Sequence, residues 1–267
     1  METGLKGRVA VVTGGSRGIG YATASRMLQE GAQVVLMSRN SSELAEAASR
    51  LEDEVPGAQV GHLAVDVSDA DSVAAAAARV ADDHGSVHVL VNNAGPILQG
   101  APVTGSSDDK WLRTYNIKTM GMLRMARAFA PGMPADGSAR IVNVSGVSGR
   151  SLLSNSSASG MANAAVCALT SYLAQEFAPA RVNVNCVSPG LIRTAAWAEN
   201  AERLGEPLGM TGSEYMHDFQ QQLGVRLGRW AEPTEVADVI VFFASDRASY
   251  VTGQVLAVDG GLESSVI

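Results

Sequence analysis

Cysteine, lysine and concentrated positive charge are all scarce in this chain. Its 267 residues hold two cysteines and carry a net charge of −7. Cys167 and Cys186 stand in apolar contexts and read as small buried thiols, so a disulfide framework is excluded and a reducing, cytoplasmic setting is expected. No cluster of Lys and Arg marks a nucleic-acid or anionic-membrane partner. No apolar run approaches the roughly 18 residues a membrane span needs. The first residues, Met-Glu-Thr-Gly-Leu-Lys, show neither the basic nor the apolar region of a signal peptide. Internal repeats, low-complexity tails and linkers are missing too, so residues 1–267 are expected to form one domain. No metal ligand set is assigned.

What is present is organised around Arg8 to Gly20. A short apolar run, Val9 to Val12, reads as a buried parallel strand, and an apolar-periodic helix is expected from about Ile19 to Gln29. Between them lies a turn with Gly14, Gly18 and Gly20. Strand, glycine turn and helix in that order make a phosphate site. Glycine lets backbone approach a pyrophosphate, and the helix N-terminus offers free N–H groups and partial positive charge. Gly14, Ser16, Arg17, Gly18, Ile19 and Gly20 are therefore assigned to cofactor binding.

Further strands are expected at about Gln33 to Met37, Gln59 to Val65, Val87 to Val91, Ala139 to Val144, Val182 to Val187 and Val255 to Val258. Helices are expected at about 42–53, capped by Ser41 or Ser42, from Ser68 or Asp69 to Asp83, and at 108–129, 157–177 and 234–244. Strands alternating with helices predict an α/β, doubly wound parallel sheet with helices on both faces. Gly190 to about Leu227 reads as one long irregular segment. In a compact domain a segment of that length is a lid or binding loop.

Ligands of such sheets sit outside the C-terminal strand ends. After the second strand, where an NAD site often has an acid, this chain has Ser38-Arg39. With Arg17 nearby, two guanidinium groups suit a 2′-phosphate and point to NADP(H); the alternative is two solvated surface arginines. Asp66, followed by Val67, either accepts from an adenine amino group or caps the next helix. Asn92 to Gly95, with Ala94 between, either underlies the ribose and nicotinamide or forms an ordinary Asn-Gly turn. The aromatic and methionine residues of the lid suggest a small, fairly apolar organic substrate, or simply pack the lid.

These motifs together resemble the short-chain dehydrogenase/reductase family. The matching stretches are Thr13-Gly14-x-x-x-Gly18-Ile19-Gly20, Asp66-Val67, Asn92-Asn93-Ala94-Gly95, Asn116, Ser188-Pro189-Gly190-Leu191-Ile192-x-Thr194 and Val258-Asp259-Gly260-Gly261. The resemblance covers essentially the whole chain. It implies a seven-stranded Rossmann sheet, a nicotinamide amide held by Thr194 and the backbone near Ile192, with Pro189 and Gly190 beside it. It also implies a homodimer or homotetramer through the helices near 108–129 and 157–178.

The resemblance implies a Ser, a Tyr and a Lys for the chemistry. Hydride transfer to a carbonyl leaves an alkoxide that needs a proton. In this family Tyr gives it, Lys lowers the phenol's pKa and holds the ribose, and Ser binds the substrate oxygen. Here those positions fall on Gly146, Ser159 and Asn163, and only Asn116 of the usual set remains. Ser145 takes the serine position if the alignment slips by one, and Ser148 is a second candidate. Asn116, Ser159, Asn163 and Ser145 are the catalytic candidates. Asn163 can donate to ribose but carries no charge to depress a neighbour's pKa. The expected activity is therefore NADP(H)-dependent reduction of an activated C=C or C=N rather than of a simple ketone. A redox-neutral cyclase or isomerase, or a non-catalytic cofactor-binding subunit, stands as the alternative.

Overall fold

The structure, a computed structural model, describes residues 2–95, 103–153 and 156–263. Seven strands form one sheet: β1 (Val9–Thr13), β2 (Gln33–Ser38), β3 (Gln59–Ala64), β4 (Val89–Asn92), β5 (Arg140–Val144), β6 (Asn183–Pro189) and β7 (Val255–Val258). Their order is β3-β2-β1-β4-β5-β6-β7, and every pairing is parallel.

β1, β4 and β5 are buried along their whole length and β2 and β6 nearly so, because both sheet faces are covered there, whereas the edge strands β3 and β7 are half-buried or exposed. Side chains alternate along a strand, so neighbouring residues enter different cores. Val12, Leu36, Val91 and Val142 pack beneath α1 (Gly18–Gln29), α2 (Ser41–Glu54) and α9 (Pro233–Ala244), which supply Met27, Leu51 and Ile240. Val11, Val35, Leu90 and Ile141 face α3 (Ala70–His84), α5 (Gly121–Phe129) and α6 (Ser157–Phe177), which supply Val80, Met125 and Leu173.

Local chemistry sets the helix starts. Asn40, not Ser41 or Ser42, caps α2 by accepting from Ser42 N (3.1 Å) and Glu43 N (3.3 Å). A short amide reaches both free N–H groups from just outside the first turn. The helix expected over 108–129 is interrupted. α4 (Asp108–Tyr115) passes through one widened turn, Asn116–Met120, before α5. Inserted turns of this kind recur at functional sites.

The segment from Gly190 to Leu227 is not irregular. It folds into α7 (Ala195–Gly205) and α8 (Gly212–Leu223). Thr194 caps α7 through Trp197 N (3.2 Å), and Thr211 and Glu214 form a reciprocal capping box for α8. The pair has a small core of its own, in which Trp197, Met216 and Phe219 pack around buried Leu191, Val225 and Trp230. Sparse apolar residues among glycines and polar residues hid two short helices whose stability comes from this packing.

Candidate active site

The chain winds outward from β1 to β3, then restarts on the other side of β1 with β4. The strand tips on either side of that reversal leave a crevice, where ligands of such sheets bind. Thr13 and Asn93 join the two tips. Thr13 Oγ1 accepts from Asn93 N (2.9 Å) and Ala94 N (3.0 Å), and Asn93 Nδ2 donates to Thr13 O (3.0 Å) and Gly14 O (3.2 Å). One cavity of about 1300 Å³ opens above them.

At one end lies the glycine loop. Gly14 and Gly18 have φ of 64° and 60°, which a side chain disfavours. A Cβ on Gly20 would collide with the Gly14 carbonyl. α1 has no side-chain cap, whereas α2, α3, α4, α7 and α8 all have one. Its first-turn N–H groups therefore remain available to an anion. Ser38 and Arg39 line the same end. The Ser38 hydroxyl is buried without a partner, and Arg39 makes no ion pair among the described residues. Both are therefore open to a ligand. Arg17 lines the cavity but also pairs with Glu199 of α7 at 3.3 Å.

Asp66 is not the helix cap; Asp69 caps α3 by accepting from Asp71 N (2.9 Å) and Ser72 N (3.4 Å). Asp66 Oδ1 instead accepts from Ser68 Oγ (2.6 Å) and Ser68 N (2.9 Å). Those bonds hold its carboxyl below the usual carboxylate range, so it faces the cavity as an anionic acceptor.

At the other end the tips of β4 and β5 meet α6. Ser145, Gly146, Ser148, Ser159 and Asn163 all line the cavity. Asn163 Nδ2 donates to Ser148 Oγ (2.9 Å), while its buried Oδ1 has no partner. The Ser145 hydroxyl is turned to β6, donating to Val187 O at 3.4 Å. Thr194 reaches across from α7 toward the glycine loop; a Cβ on Gly18 would stand 3.3 Å from its Cγ2. Gly95, Val67, Pro189, Gly190 and Ile192 line the walls, with Gly14, Ser16, Ile19 and Ala94.

Two assigned residues point elsewhere. Asn92 lies under the cavity floor in a chain of side-chain bonds, donating to Asn143 Oδ1 (2.9 Å), whose own amide donates to Thr170 Oγ1 (3.0 Å). Asn116 is outside the lining: its Oδ1 accepts from Arg124 (2.8 Å) and its amide reaches the Ser68 carbonyl (3.4 Å). It braces the widened turn against the loop that precedes α3.

Sequence reasoning missed Asn93, the residue that joins the strand tips, although its motif was in view. It also missed Lys118. This amine donates to the Ser145 carbonyl at 2.9 Å and lines the cavity. Desolvation lowers its pKa from 10.5 to about 8, against a smaller opposing influence from the Cys186 and Cys167 thiols. The one available signal was its place two residues after Asn116. No tyrosine lines the cavity among the described residues. No three His, Cys, Asp or Glu side chains converge among them, and none of their helices is long and apolar enough to cross a membrane.

The fold and crevice define a Rossmann-type protein with a dinucleotide-shaped site. A family profile described as enoyl-(acyl carrier protein) reductase matches residues 14–263. The chain is 39% identical over 262 residues to cis-4-hydroxycyclohexanecarboxylate dehydrogenase of Sinomonas cyclohexanicum, spanning 95% of this chain and 96% of the relative. L-sorbose reductase of Gluconobacter frateurii, solved with NADPH and L-sorbose, superimposes with a TM-score of 0.93 at 33% identity and full coverage of both chains. An NADPH-bound short-chain oxidoreductase of Pseudomonas aeruginosa PAO1, described as containing an atypical catalytic center, gives 0.88 at 32% identity, covering 97% of this chain and 98% of the other. The chain belongs to the short-chain dehydrogenase/reductase family.

Proposed function

We propose that this protein is an NADP(H)-dependent oxidoreductase that interconverts a carbonyl and an alcohol on a small, fairly apolar organic substrate. The observation that carries this reading is the continuous cavity, which joins an uncapped helix N-terminus and a free Ser38-Arg39 pair to the polar cluster of Ser145, Ser159, Asn163 and Lys118. The Gluconobacter and Pseudomonas relatives, both with NADPH bound, support the cofactor. When bound, that cofactor supplies a hydride.

The chain's own residues have separable tasks. The first-turn N–H groups of α1 hold the pyrophosphate, and Ser38 and Arg39 hold the 2′-phosphate. Asp66 accepts from the adenine amino group. Thr194 and the Ile192 backbone hold the carboxamide, and Asn163 contacts ribose. Ser159 orients the substrate oxygen, and Trp197 closes one wall.

The site is atypical on this reading. Gly146, Ser159 and Asn163 occupy the positions of the family's Ser, Tyr and Lys, and the Pseudomonas relative's atypical center favours the same view. Lack of a phenol in the cavity favours a second reading, reduction of an activated C=C or C=N. Carbonyl chemistry ranks first because the Sinomonas and Gluconobacter relatives are named as a hydroxy-acid dehydrogenase and a sugar reductase. Exposed Leu112 and Tyr115 on α4, with Met161 and Tyr172 on α6, support a homodimer or homotetramer through these helices.

The test is NADPH fluorescence followed by turnover. Binding with oxidation by ketones supports carbonyl reduction, and oxidation only by enones or iminium salts supports the second reading. Binding without oxidation by any of them points to a redox-neutral enzyme or a cofactor-binding subunit, and no binding sinks the cofactor assignment.

A further inference from the structure

We propose that Lys118 is the catalytic proton donor of this site, its ammonium delivering a proton to the substrate oxygen from between the tips of β4 and β5. The inference rests on the carbonyl–alcohol reading above and identifies the acid that reading lacks.

The placement is specific. Lys118 stands in the widened turn Asn116–Met120, on the side away from the Arg124–Asn116 brace. Its chain runs beneath Gly95, where an added Cβ would stand 3.3 Å from both Cδ and Nζ. A side chain at 95 would make the Lys118 side chain give way by a few tenths of an ångström. Nζ then donates to the Ser145 carbonyl at 2.9 Å, one residue from Gly146. An ammonium has three donors. The Ser145 carbonyl is its one hydrogen-bond partner among the described residues, so two N–H bonds remain for groups in the cavity. The side chain is half-buried and lines that cavity.

Its surroundings suit a proton held for transfer. The titratable groups acting on it are the Cys186 thiol from β6 and the Cys167 thiol from α6. Arg150 acts on Cys167 in turn. No carboxylate is among the groups acting on Lys118; the Cys186 and Cys167 sulfurs raise its pKa by less than desolvation lowers it, and the Cys167 thiol is itself held below its usual value, first by its hydrogen bond with Cys186. Burial brings its pKa to about 8, close to working pH, where a general acid is most effective. Tyrosines are out of place as the donor: none lines the cavity among the described residues, Tyr215 stacks on Phe219 at 6.0 Å within the lid, and Tyr115 is exposed on α4.

The step balances. The carbonyl carbon takes a hydride from reduced nicotinamide, the C=O π pair moves to oxygen, and that oxygen takes the Lys118 proton. The neutral amine regains its proton from water, so each alcohol formed consumes one NADPH and one proton. In reverse, the neutral amine takes the hydroxyl proton.

Two variants and one spectroscopic titration test this. Lys118→Met should lower kcat for ketone reduction by about 10²–10⁴-fold with NADPH binding unchanged. Lys118→Arg keeps the charge but holds its proton too tightly, so it should remain as impaired; a purely structural cation would be rescued. In the wild type, kcat/KM for reduction should fall as pH rises through about 8. That limb should vanish in Lys118→Met. With lysine carrying ¹³C at Cε, the chain has three side-chain signals. The one missing from Lys118→Met should titrate near pH 8. Unchanged turnover in Lys118→Met, rescue by arginine, or a signal that does not titrate near that pH overturns the proposal alone. Wild-type protein that binds no NADPH overturns the functional reading beneath it.

Discussion

A Cβ placed on Gly146 would stand 2.7 Å from Asn163 Nδ2, the atom that donates to Ser148 Oγ. The glycine at 146 and the asparagine at 163 are therefore mutually fitted. Gly146→Ser should destabilise the free protein by about 1–3 kcal/mol, the usual cost of overpacking. In an Asn163→Ala background the same change should cost much less. Urea denaturation of the two single variants and the double checks it. Additivity within about 0.5 kcal/mol would show that the two side chains do not meet.

Arg39 is open where Arg17 is engaged. Arg39→Ala should weaken NADPH binding about ten- to a hundredfold, the loss of one charge-assisted bond of roughly 1.5–3 kcal/mol, and leave NADH binding nearly unchanged. Fluorescence titration with both cofactors decides it. Equal losses for the two would mean that Arg39 does not read the phosphate.

The Arg17–Glu199 pair joins the glycine loop to α7 at 3.3 Å, with both side chains more than half exposed (57% and 67%). Such pairs contribute little stability, about 0–1 kcal/mol. α7 and α8 share a small core of their own, so they should move as one unit. Hydrogen exchange should show 194–223 opening together without ligand and slowing together when NADPH and substrate are added. Independent exchange of the two helices, or no change with ligand, would count against a hinged lid.

Lys118 should be costly to the fold. Its pKa falls from 10.5 to about 8 on folding, equivalent to about 3 kcal/mol. The sign follows from proton counting. Between those pH values the unfolded chain binds more protons, so stability rises with pH across the window. The penalty is complete below pH 8 and gone above 10.5. Lys118→Met removes it but also loses the bond to Ser145, for a net gain of about 1–2 kcal/mol at neutral pH. Thermal denaturation at pH 7 and pH 10 measures it. A variant no more stable at pH 7, or a difference that does not shrink at the higher pH, would contradict the assigned burial.

Most of the sheet was readable in the sequence because β1, β2, β4, β5 and β6 are buried on both faces and so appear as largely apolar runs, while the edge strands β3 and β7 are partly exposed. Val9 to Val12, Gln33 to Met37 and Val255 to Val258 needed no tertiary information. The glycine loop was equally plain, since Gly14, Gly18 and Gly20 stand between a strand and a helix and only that order makes a phosphate cradle. What escaped were elements whose form depends on distant partners. α7 and α8 are weakly patterned by themselves and gain their stability from packing around Leu191, Val225 and Trp230. The widened turn at Asn116–Met120 leaves no local mark in the sequence. Motif position placed Asn116 in the chemistry, yet Arg124, eight residues on, holds its side chain away from the cavity. Lys118 was invisible for the same reason. A sequence gives a lysine's charge and its neighbours along the chain. Only folding removes the water, brings the Ser145 carbonyl from β5 across to Nζ, and sets both the reach and the acidity of the amine.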